Sequence, residues 1–253
     1  MDKQLIAERF ARSRHSYDKE AKVQAEVARK MIGLIEKCCP QSFRRIVEIG
    51  CGTGIYSQML LARLRPDALL LNDLCPEMGK SVAGWLSPAV GFVAGDAEKL
   101  EFPAGNDLIT SCSTLQWFAD VGGFFRRCHS LLQDRGVLAF ATFGRQNLKE
   151  IRSLTGNGLD YIPLPRLKAS LETAQFDILH AEEEESTLLF PTPLHVLRHL
   201  KGTGVTGTEK RVWTRHRLEC FCNSYREMFA TQTGDIPLTY HPIYIIAQKK
   251  NTR

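Results

Sequence analysis

A buried strand that runs directly into a glycine-rich turn constrains this chain more than any other feature. Residues 46–49 read Ile-Val-Glu-Ile, and β-branched residues of this kind are typical of a central parallel strand. Gly50, Gly52 and Gly54 follow at alternate positions, and residues 55–65 carry a helical pattern. Because glycine has no Cβ, such a turn permits left-handed backbone and the close approach of a ligand. The stretch predicts either a turn that binds a ligand or a turn that has only a structural role.

A second apolar strand, residues 68–73, favours the ligand-binding interpretation because it ends in an acid. Asp73 lies nineteen residues beyond Gly54, where a nucleotide-binding βαβ unit places the carboxylate that accepts the ribose hydroxyls. Each charge-assisted hydrogen bond of this kind contributes roughly 1.5 to 3 kcal/mol. The structural alternative for Asp73 is a helix cap before Pro76.

Two familiar phosphate-binding loops do not match this turn. A Walker-type loop requires Gly-Lys-Ser/Thr, but Gly54 is followed by Ile55 and Tyr56. The dinucleotide fingerprint would place its third glycine three residues after Gly52, where the chain has Ile55. A nicotinamide oxidoreductase is therefore disfavoured.

The segment Glu48–Gly54 resembles motif I of the class I S-adenosylmethionine-dependent methyltransferases. Residues 90–97 resemble the third strand of that family with its Gly-Asp-Ala turn, and residues 106–113 resemble its fourth strand. The resemblance implies S-adenosylmethionine as the cofactor, with Glu48 near its α-ammonium group, Asp73 on the ribose and Asp96 beside the adenine. The cofactor-binding residues that it implies are Glu48, Gly50, Gly52, Gly54, Asp73, Leu74, Asp96, Ala97 and Ser113.

Strand and helix patterns alternate as far as residue 143, which predicts a doubly wound parallel sheet. The fifth strand is expected at 136–143, after an amphipathic helix at about 121–132. Further along, the expected elements are helices at 148–154, 165–174, 193–200 and 214–229 and a long strand at 176–190. By resemblance, residues 240–249 form an antiparallel last strand. We expect an α/β fold with a mostly parallel seven-stranded sheet, in one methyltransferase domain (1–253) with a helical insertion (190–235) near the acceptor pocket.

The first forty residues predict two helices, separated at residues 13–18. Val23, Val27 and Met31 recur at helical spacing, so the second helix packs one face on the core. Asp18 suits the cap of that helix. The alternative is that this segment forms part of a lid over the cofactor. It comes from a narrower resemblance, to the malonyl-[acyl-carrier protein] O-methyltransferases of biotin synthesis. It rests on Phe10, Tyr17-Asp18, Ala21, Gln24, Leu115-Gln116-Trp117 and the segment 200–204.

That narrower resemblance implies methylation of the free carboxylate of a malonyl thioester, with residues 1–40 as a helical lid and Tyr17 over the transferring methyl. A carboxylate is already ionised near neutral pH, so no general base is required. It does require a cation or several donors to orient it. Candidates are Gln116 and Arg145, and after them Arg198, His199 and Lys201, although a solvated surface charge explains each cation alone. Trp117 is expected to form a wall, and His129 to be a core or surface residue.

The net charge of +5 and the pI near 8.8 are too modest to indicate a nucleic-acid partner. An acidic carrier protein would meet a basic rim, and the sequence offers two groups of residues for it, with scattered surface charge as the alternative. The first group is Arg9, Arg12, Arg14, Lys19 and Lys22. The second group is Arg198, Lys201, Lys210, Arg211, Arg215 and Arg217.

Other features set the expected compartment. No run of about 18 apolar residues predicts a membrane span, and the N-terminus lacks the apolar segment of a signal peptide, so we expect a cytoplasmic protein. The eight cysteines follow no zinc-ligand spacing and are expected to be reduced, with no metal site.

Two other functions stay open at this point. One is a methyltransferase that acts on a small carboxylic acid or a quinone precursor, the latter of which would need a base that the sequence does not reveal. The other is a non-catalytic subunit that only binds S-adenosylmethionine. The sequence does not fix the oligomeric state.

Overall fold

The computed structural model describes residues 2–205 and 214–251, which are organised around a seven-stranded sheet. The helices are α1 (Lys3–Glu20), α2 (Lys22–Cys38), α3 (Ile55–Met59, extended by a π turn over Leu60–Leu64), α4 (Gly79–Val82), α5 (Val121–Leu131), α6 (Lys149–Thr155), α7 (Leu164–Thr173), α8 (Pro193–Gly202) and α9 (Arg215–Phe229). The strands are β1 (Arg45–Ile49), β2 (Ala68–Asp73), β3 (Val90–Ala94), β4 (Asn106–Cys112), β5 (Leu132–Phe143), β6 (Phe176–Glu183), β7 (Ser186–Phe190), β8 (Ile236–Tyr240) and β9 (Pro242–Lys249).

The large sheet has the strand order β3-β2-β1-β4-β5-β9-β6. Neighbours from β3 to β5 are parallel, whereas β9 is antiparallel to both β5 and β6. This confirms the predicted fold class, a doubly wound and mostly parallel seven-stranded sheet with an antiparallel last strand. Strands β7 and β8 form a separate two-stranded antiparallel sheet.

Alternate residues of the central strands pack on opposite faces of the sheet, as the period of a strand requires. Ile46 belongs to the core on the α2 side, and its neighbour Val47 belongs to the core under α5 and α7. Both side chains are 1% exposed. Because both faces are covered, the strand sequences are apolar throughout, and this is the pattern that made β1 predictable.

The register of the parallel strands brings their carboxyl ends together at one edge. Ile49 pairs with Asn72 on β2 and with Ser111 on β4, and Asp73 pairs with Ala94 on β3. The turns that follow these four strands are therefore neighbours, and ligands of open α/β sheets bind at this edge.

The prediction of two helices separated at residues 13–18 is wrong, because α1 runs without a break from Lys3 to Glu20. Ser13 and Ser16 donate hydrogen bonds to carbonyls three residues earlier, so their hydroxyls are satisfied inside a helix. The chain changes direction at Ala21 instead, and Ala21 caps α2 without a side-chain hydrogen bond. Asp18 lies within α1 and is not the predicted cap.

The single long strand predicted at 176–190 is also wrong. The chain forms β6 as far as Glu183 and starts β7 at Ser186, in the other sheet. Strand β6 pairs with β9, and β7 pairs with β8. Because only His241 separates β8 from β9, both paired segments pass from one sheet to the other at the same place. The predicted last strand correspondingly splits, because Tyr240 ends β8 and Pro242 begins β9.

Two smaller differences concern the second half of the chain. β5 begins at Leu132, four residues before the predicted start at Gly136, because Leu132 pairs with Asn106 across an irregular register. The predicted insertion holds α8 and α9, and Lys210 and Arg211 lie outside the described residues. The division of the chain into one domain with a lid and an insertion stays a prediction. Within the described residues, no helix has the length and apolar character that a membrane span needs.

Candidate functional site

A pocket of about 1000 Å³, including its open mouth, lies at the carboxyl ends of β1–β4 and beneath α1. Its floor comes from the turns after the strands, and its cover comes from α1 and α2. The floor includes Ile49, Gly50, Cys51, Gly52, Thr53, Asn72, Asp73, Leu74, Gly95, Asp96, Ala97, Cys112, Ser113, Thr114, Trp117 and Phe118. The cover includes Lys3, Ile6, Phe10, Tyr17, Gln24 and Ala28.

The glycine turn has the left-handed backbone that its composition predicts. Gly50, Gly52 and Gly54 have φ values of 73°, 55° and 93°. A Cβ on Gly50 would lie 2.1 Å from Thr114 Oγ1, so packing as well as φ requires glycine there. A Cβ on Gly52 would meet no atom within 4 Å, and Gly52 lines the pocket. The turn therefore leaves open space for a ligand at Gly52.

Asp73 lies at the end of β2 and organises the turn from within. Its Oδ2 accepts a hydrogen bond from Gly52 N, and its Oδ1 accepts one from Cys75 N, both at 2.8 Å. Burial raises the pKa of Asp73 to about 6, although these two hydrogen bonds oppose the shift. The carboxylate thus lines the pocket and also holds the glycine loop against β2.

Asp96 and Lys3 connect the floor of the pocket to its cover. Lys3 Nζ lies 2.6 Å from Asp96 Oδ1 and also pairs with Glu98, so the first turn of α1 is anchored to the turn after β3. Glu98 N donates to the same Asp96 oxygen at 3.0 Å. Although burial acts in the opposite direction, these donors hold the pKa of Asp96 below its ordinary value.

Glu48 lies beneath the glycine turn, outside the set of described residues that line the pocket. The side chain is 1% exposed, and Oε2 has no hydrogen-bond partner in the described part of the chain. Burial raises the pKa of Glu48 to about 8. A buried carboxyl without full pairing is costly to the fold, so its retention under a ligand pocket points to a functional role.

Leu74, Ala97 and Ser113 line the pocket, as their predicted roles require. Ser113 has a φ of 58°, which is uncommon for a residue with a Cβ. Its Oγ and the indole Nε1 of Trp117 are both buried, and neither has a hydrogen-bond partner within residues 2–205 and 214–251. Such unpaired buried groups beside an apolar cavity suit a ligand that brings polar atoms of its own.

Tyr17 lines the pocket from the last turns of α1. Burial raises the pKa of its phenol, with smaller contributions from Asp73 and Asp18, so Tyr17 is a neutral hydroxyl at neutral pH. Asp18 accepts a hydrogen bond from Thr53 Oγ1 at 2.5 Å, which ties α1 to the glycine turn. Phe10 packs edge-on against Trp117, with 5.8 Å between ring centroids. α1 therefore covers the pocket, and its role as a lid stays a prediction.

Gln116 and Arg145 lie outside the set of described residues that line the pocket. Gln116 Nε2 donates to Ser113 O at 2.6 Å and its Oε1 accepts from Thr142 at 3.1 Å, so the amide fixes the turn that carries Ser113. Arg145 is exposed. Its carbonyl accepts a hydrogen bond from Arg152 at 2.5 Å, in a turn that leads away from β5 towards α6. The structure does not bring Arg145 to the pocket.

The other predicted cations are also distant from the pocket lining. Arg198 and Lys201 are exposed on α8. His199 is 4% exposed, and its ring nitrogens contact Tyr240 Oη at 2.7 Å and Glu20 Oε2 at 3.3 Å. His129 packs edge-on against Phe176, as expected of a structural histidine. The eight cysteines are free thiols.

Lys3 and Gln24 are among the pocket residues that sequence reasoning did not assign to the site. Lys3 was not predicted, because its contact with Asp96 spans 93 positions and no local pattern signals it. Gln24 entered only as part of a resemblance, yet a signal was present. Gln24, Ala28 and Met31 share one helical face, and a polar side chain on an otherwise apolar buried face needs a partner.

Comparisons with known proteins agree with this geometry. The sequence profile of the family described as Methyltransferase domain matches residues 47–140. The malonyl-[acyl-carrier protein] O-methyltransferase of Bacteroides helcogenes is 53% identical over 99% of this chain and 100% of that protein. The chain belongs to the malonyl-[acyl-carrier protein] O-methyltransferase family. A second family member, from Bacteroides thetaiotaomicron, is 51% identical over 99% of each chain.

A solved structure gives an independent view of the family's fold. The S-adenosylmethionine-dependent methyltransferase from Mesorhizobium loti superposes with a TM-score of 0.55 over 86% of this chain and 96% of that one. The sequences are only 17% identical, so this likeness shows the fold. Membership of the family rests on the full-length relatives.

Proposed function

We propose that this protein transfers the methyl group of S-adenosylmethionine to the free carboxylate of malonyl-acyl carrier protein. The observation that carries the proposal is the full-length identity of 53% to a protein of that name. The pocket supports it, because the four predicted strand-end motifs meet there under a helical lid. The step in biotin synthesis that the resemblance implies stays a prediction.

The floor of the pocket would hold S-adenosylmethionine. Asp73 has lone pairs beyond the two that accept Gly52 N and Cys75 N, and these are available to the ribose hydroxyls. Asp96 is anchored through Oδ1 by Lys3, which leaves Oδ2 to accept a hydrogen bond beside Ala97 and the adenine. Leu74 would pack against the cofactor, and Ser113 would offer it a hydroxyl group. The bound group supplies an activated methyl on a sulfonium.

Positioning would account for most of the catalysis. A carboxylate acceptor needs no deprotonation near neutral pH, and alignment of the two reactants supplies roughly 7 to 11 kcal/mol. Tyr17, a neutral phenol of α1 that lines the pocket, would contact the acceptor and exclude water. Gln116 would act through the turn that it fixes at Ser113 rather than by direct contact.

Two basic surfaces are available for an acidic carrier protein, and they are adjacent. α1 packs against α8, and Ser16 donates a hydrogen bond to Gly202 O at 3.2 Å. Arg12 and Lys19 on α1 are exposed, as are Arg198 and Lys201 on α8. We propose that the carrier docks across these two helices, close to the lid.

Mass spectrometry of the purified protein with S-adenosylmethionine and carrier protein tests the proposal. Malonyl-carrier protein is expected to gain the mass of one methyl group. Acetyl-carrier protein, which lacks the free carboxylate, is the matched control. Equal labelling of the two forms, or no labelling while S-adenosylhomocysteine still binds, would contradict the proposed acceptor.

A further inference from the structure

Gln24 presents an unpaired oxygen at the pocket. The residue lies in the first turns of α2, is 8% exposed, and lines the pocket beside Ala28 and Tyr56. Its Oε1 is buried and finds no hydrogen-bond donor within the described residues. A buried acceptor without a donor destabilises the fold. The position therefore suits a ligand that supplies the donor.

A chain of hydrogen bonds determines which end of the Gln24 amide faces the pocket. Because a carboxylate can only accept, His199 donates from Nδ1 to Glu20, and its Nε2 then accepts from the Tyr240 hydroxyl at 2.7 Å. The Gln24 amide lies close enough to the Tyr240 hydroxyl to oppose the rise that burial causes in the pKa of Tyr240, as an N–H directed at that oxygen does. Burial lowers the pKa of His199, which agrees with the neutral ring that this arrangement requires.

The network fixes Gln24 as an acceptor. Its carbonyl oxygen is the buried and unpaired atom, and it is left for a ligand when the amide N–H is directed at Tyr240. Neither a carboxylate nor a thioether sulfur can satisfy this oxygen, because neither is a donor at neutral pH. The ligand group must carry an N–H or an O–H.

The place of Gln24 across the sheet identifies that donor. Asp73 and Asp96 follow β2 and β3, on one side of the glycine turn, whereas Gln24 contacts Tyr240, which packs against Phe143 at the end of β5. A cofactor with its ribose at Asp73 and adenine at Asp96 extends its amino-acid end over the glycine turn towards β4 and β5. Gln24 lies on that side.

The carboxyl group beneath the β4 side of the pocket favours a cation as the ligand group. Tyr56 and Cys112 line the pocket with Gln24, and the Glu48 carboxyl is close enough to add to the rise that burial causes in the pKa of both. Burial keeps the Glu48 carboxyl protonated near neutral pH in the ligand-free protein, and a positive charge placed above it favours the ionised carboxylate. An ammonium is both a cation and an N–H donor.

We propose that Gln24 Oε1 accepts a hydrogen bond from the α-ammonium group of S-adenosylmethionine. This rests on the proposed function for the identity of the cofactor. Glu20, His199 and Tyr240 are positioning residues, which hold the amide in the accepting orientation. An amide N–H of the carrier protein's prosthetic arm offers the same donor chemistry, but it must enter through the open mouth, whereas Gln24 is almost fully covered.

Calorimetric binding of S-adenosylhomocysteine and of its analogue without the amino group tests the assignment. In Gln24→Leu, affinity for S-adenosylhomocysteine is expected to fall roughly tenfold to a hundredfold, with little change for the deaminated analogue. Gln58→Leu, at an exposed position on α3, is the matched control. Equal losses for both ligands, or no loss for either, would overturn the assignment. A loss confined to the KM for carrier protein would assign Gln24 to the arm instead and would also overturn it.

Two further variants cover the case in which Gln24→Leu fails to fold. Gln24→Glu keeps an oxygen acceptor and is expected to retain the preference for the amino group within about threefold. Tyr240→Phe removes the hydroxyl that fixes the amide and is expected to weaken that preference by about threefold. An unchanged preference in Tyr240→Phe, or a lost one in Gln24→Glu, would contradict the proposed orientation. Because these are binding measurements, they stand apart from the outcome of the methylation assay.

Discussion

The floor and the cover of the pocket are held in different ways. On the floor, Asp73 accepts backbone N–H groups from Gly52 and Cys75, and the glycine turn follows directly from a central strand. The cover is attached mainly by side chains, with Lys3 on Asp96 at one end and Asp18 on Thr53 at the other. A floor that is held by backbone hydrogen bonds keeps its shape without ligand. A cover that is held by a few partly exposed side-chain contacts can open and close at a small cost in free energy.

This difference explains how one pocket can serve two reactants. The floor has to be preformed in order to bind the cofactor in one orientation. We expect the cover, as the predicted lid, to move in order to admit an acceptor and then exclude water. Substitutions on the floor should therefore affect cofactor affinity strongly, and substitutions on the cover should affect rates of exchange more mildly.

The largest effect is expected from Asp73→Ala on the floor. The change removes the proposed ribose acceptor and the brace on the glycine turn, so affinity for S-adenosylhomocysteine should fall by about a hundredfold or more. Isothermal titration calorimetry measures it. Asp67→Ala, at an exposed residue that pairs with Arg44, is the control. A loss of less than about threefold in a folded Asp73 variant would show that the floor is not organised by this carboxylate.

Glu48→Gln tests the buried acid beneath the turn through the pH dependence of stability. With a folded-state pKa of about 8 against an ordinary value of 4.5, the folded protein holds a proton that the unfolded chain has released. Stability therefore falls as pH rises between these values. Wild type should lose about 2 kcal/mol more than Glu48→Gln between pH 6 and 8, measured by urea unfolding. Parallel curves for wild type and Glu48→Gln, with exposed Glu26→Gln as control, would contradict the raised pKa.

A smaller effect is expected on the cover. Lys3→Met removes the ion pairs with Asp96 and Glu98, but Lys3 is 24% exposed, so the loss is modest. The dissociation rate of S-adenosylhomocysteine should rise about threefold to tenfold, as followed by stopped-flow fluorescence. Lys19→Met, on an exposed face of the same helix, should leave the rate unchanged. Equal dissociation rates in wild type, Lys3→Met and Lys19→Met would show that Lys3 does not hold α1 over the pocket.

The smallest effect is expected outside both regions. Arg145 is exposed, at the start of a turn that leads away from the pocket. The KM for malonyl-carrier protein and the turnover of Arg145→Met should therefore stay within about twofold of wild type. A tenfold rise in KM with unchanged cofactor affinity would instead return Arg145 to the role of acceptor-orienting cation.

The sequence was informative about the floor because each of its signals is local. The strand at 46–49, the glycines after it and the acid at Asp73 each follow from strand patterning and turn chemistry. Parallel pairing then brings the strand ends together. The cover depends on contacts between distant residues, with 93 positions between Lys3 and Asp96 and 179 between Glu20 and His199. No periodicity encodes such pairs.

The errors in secondary structure have the same origin. Serines at 13 and 16 and Asp18 suggested a break, but contacts with α8 and the glycine turn keep α1 continuous. Residues 176–190 contain no glycine or proline that would signal a break, and their division into two strands depends on a bend in the partner at His241. Tertiary partners decide these boundaries, and the partners lie far along the chain.

A crystal structure of the protein with S-adenosylhomocysteine tests the central claim most directly. The account predicts the ligand between the floor and α1, with its ribose on Asp73, its adenine beside Asp96 and its amino group at Gln24. A ligand bound outside this pocket, or one in the pocket with its ribose away from Asp73, would contradict the account.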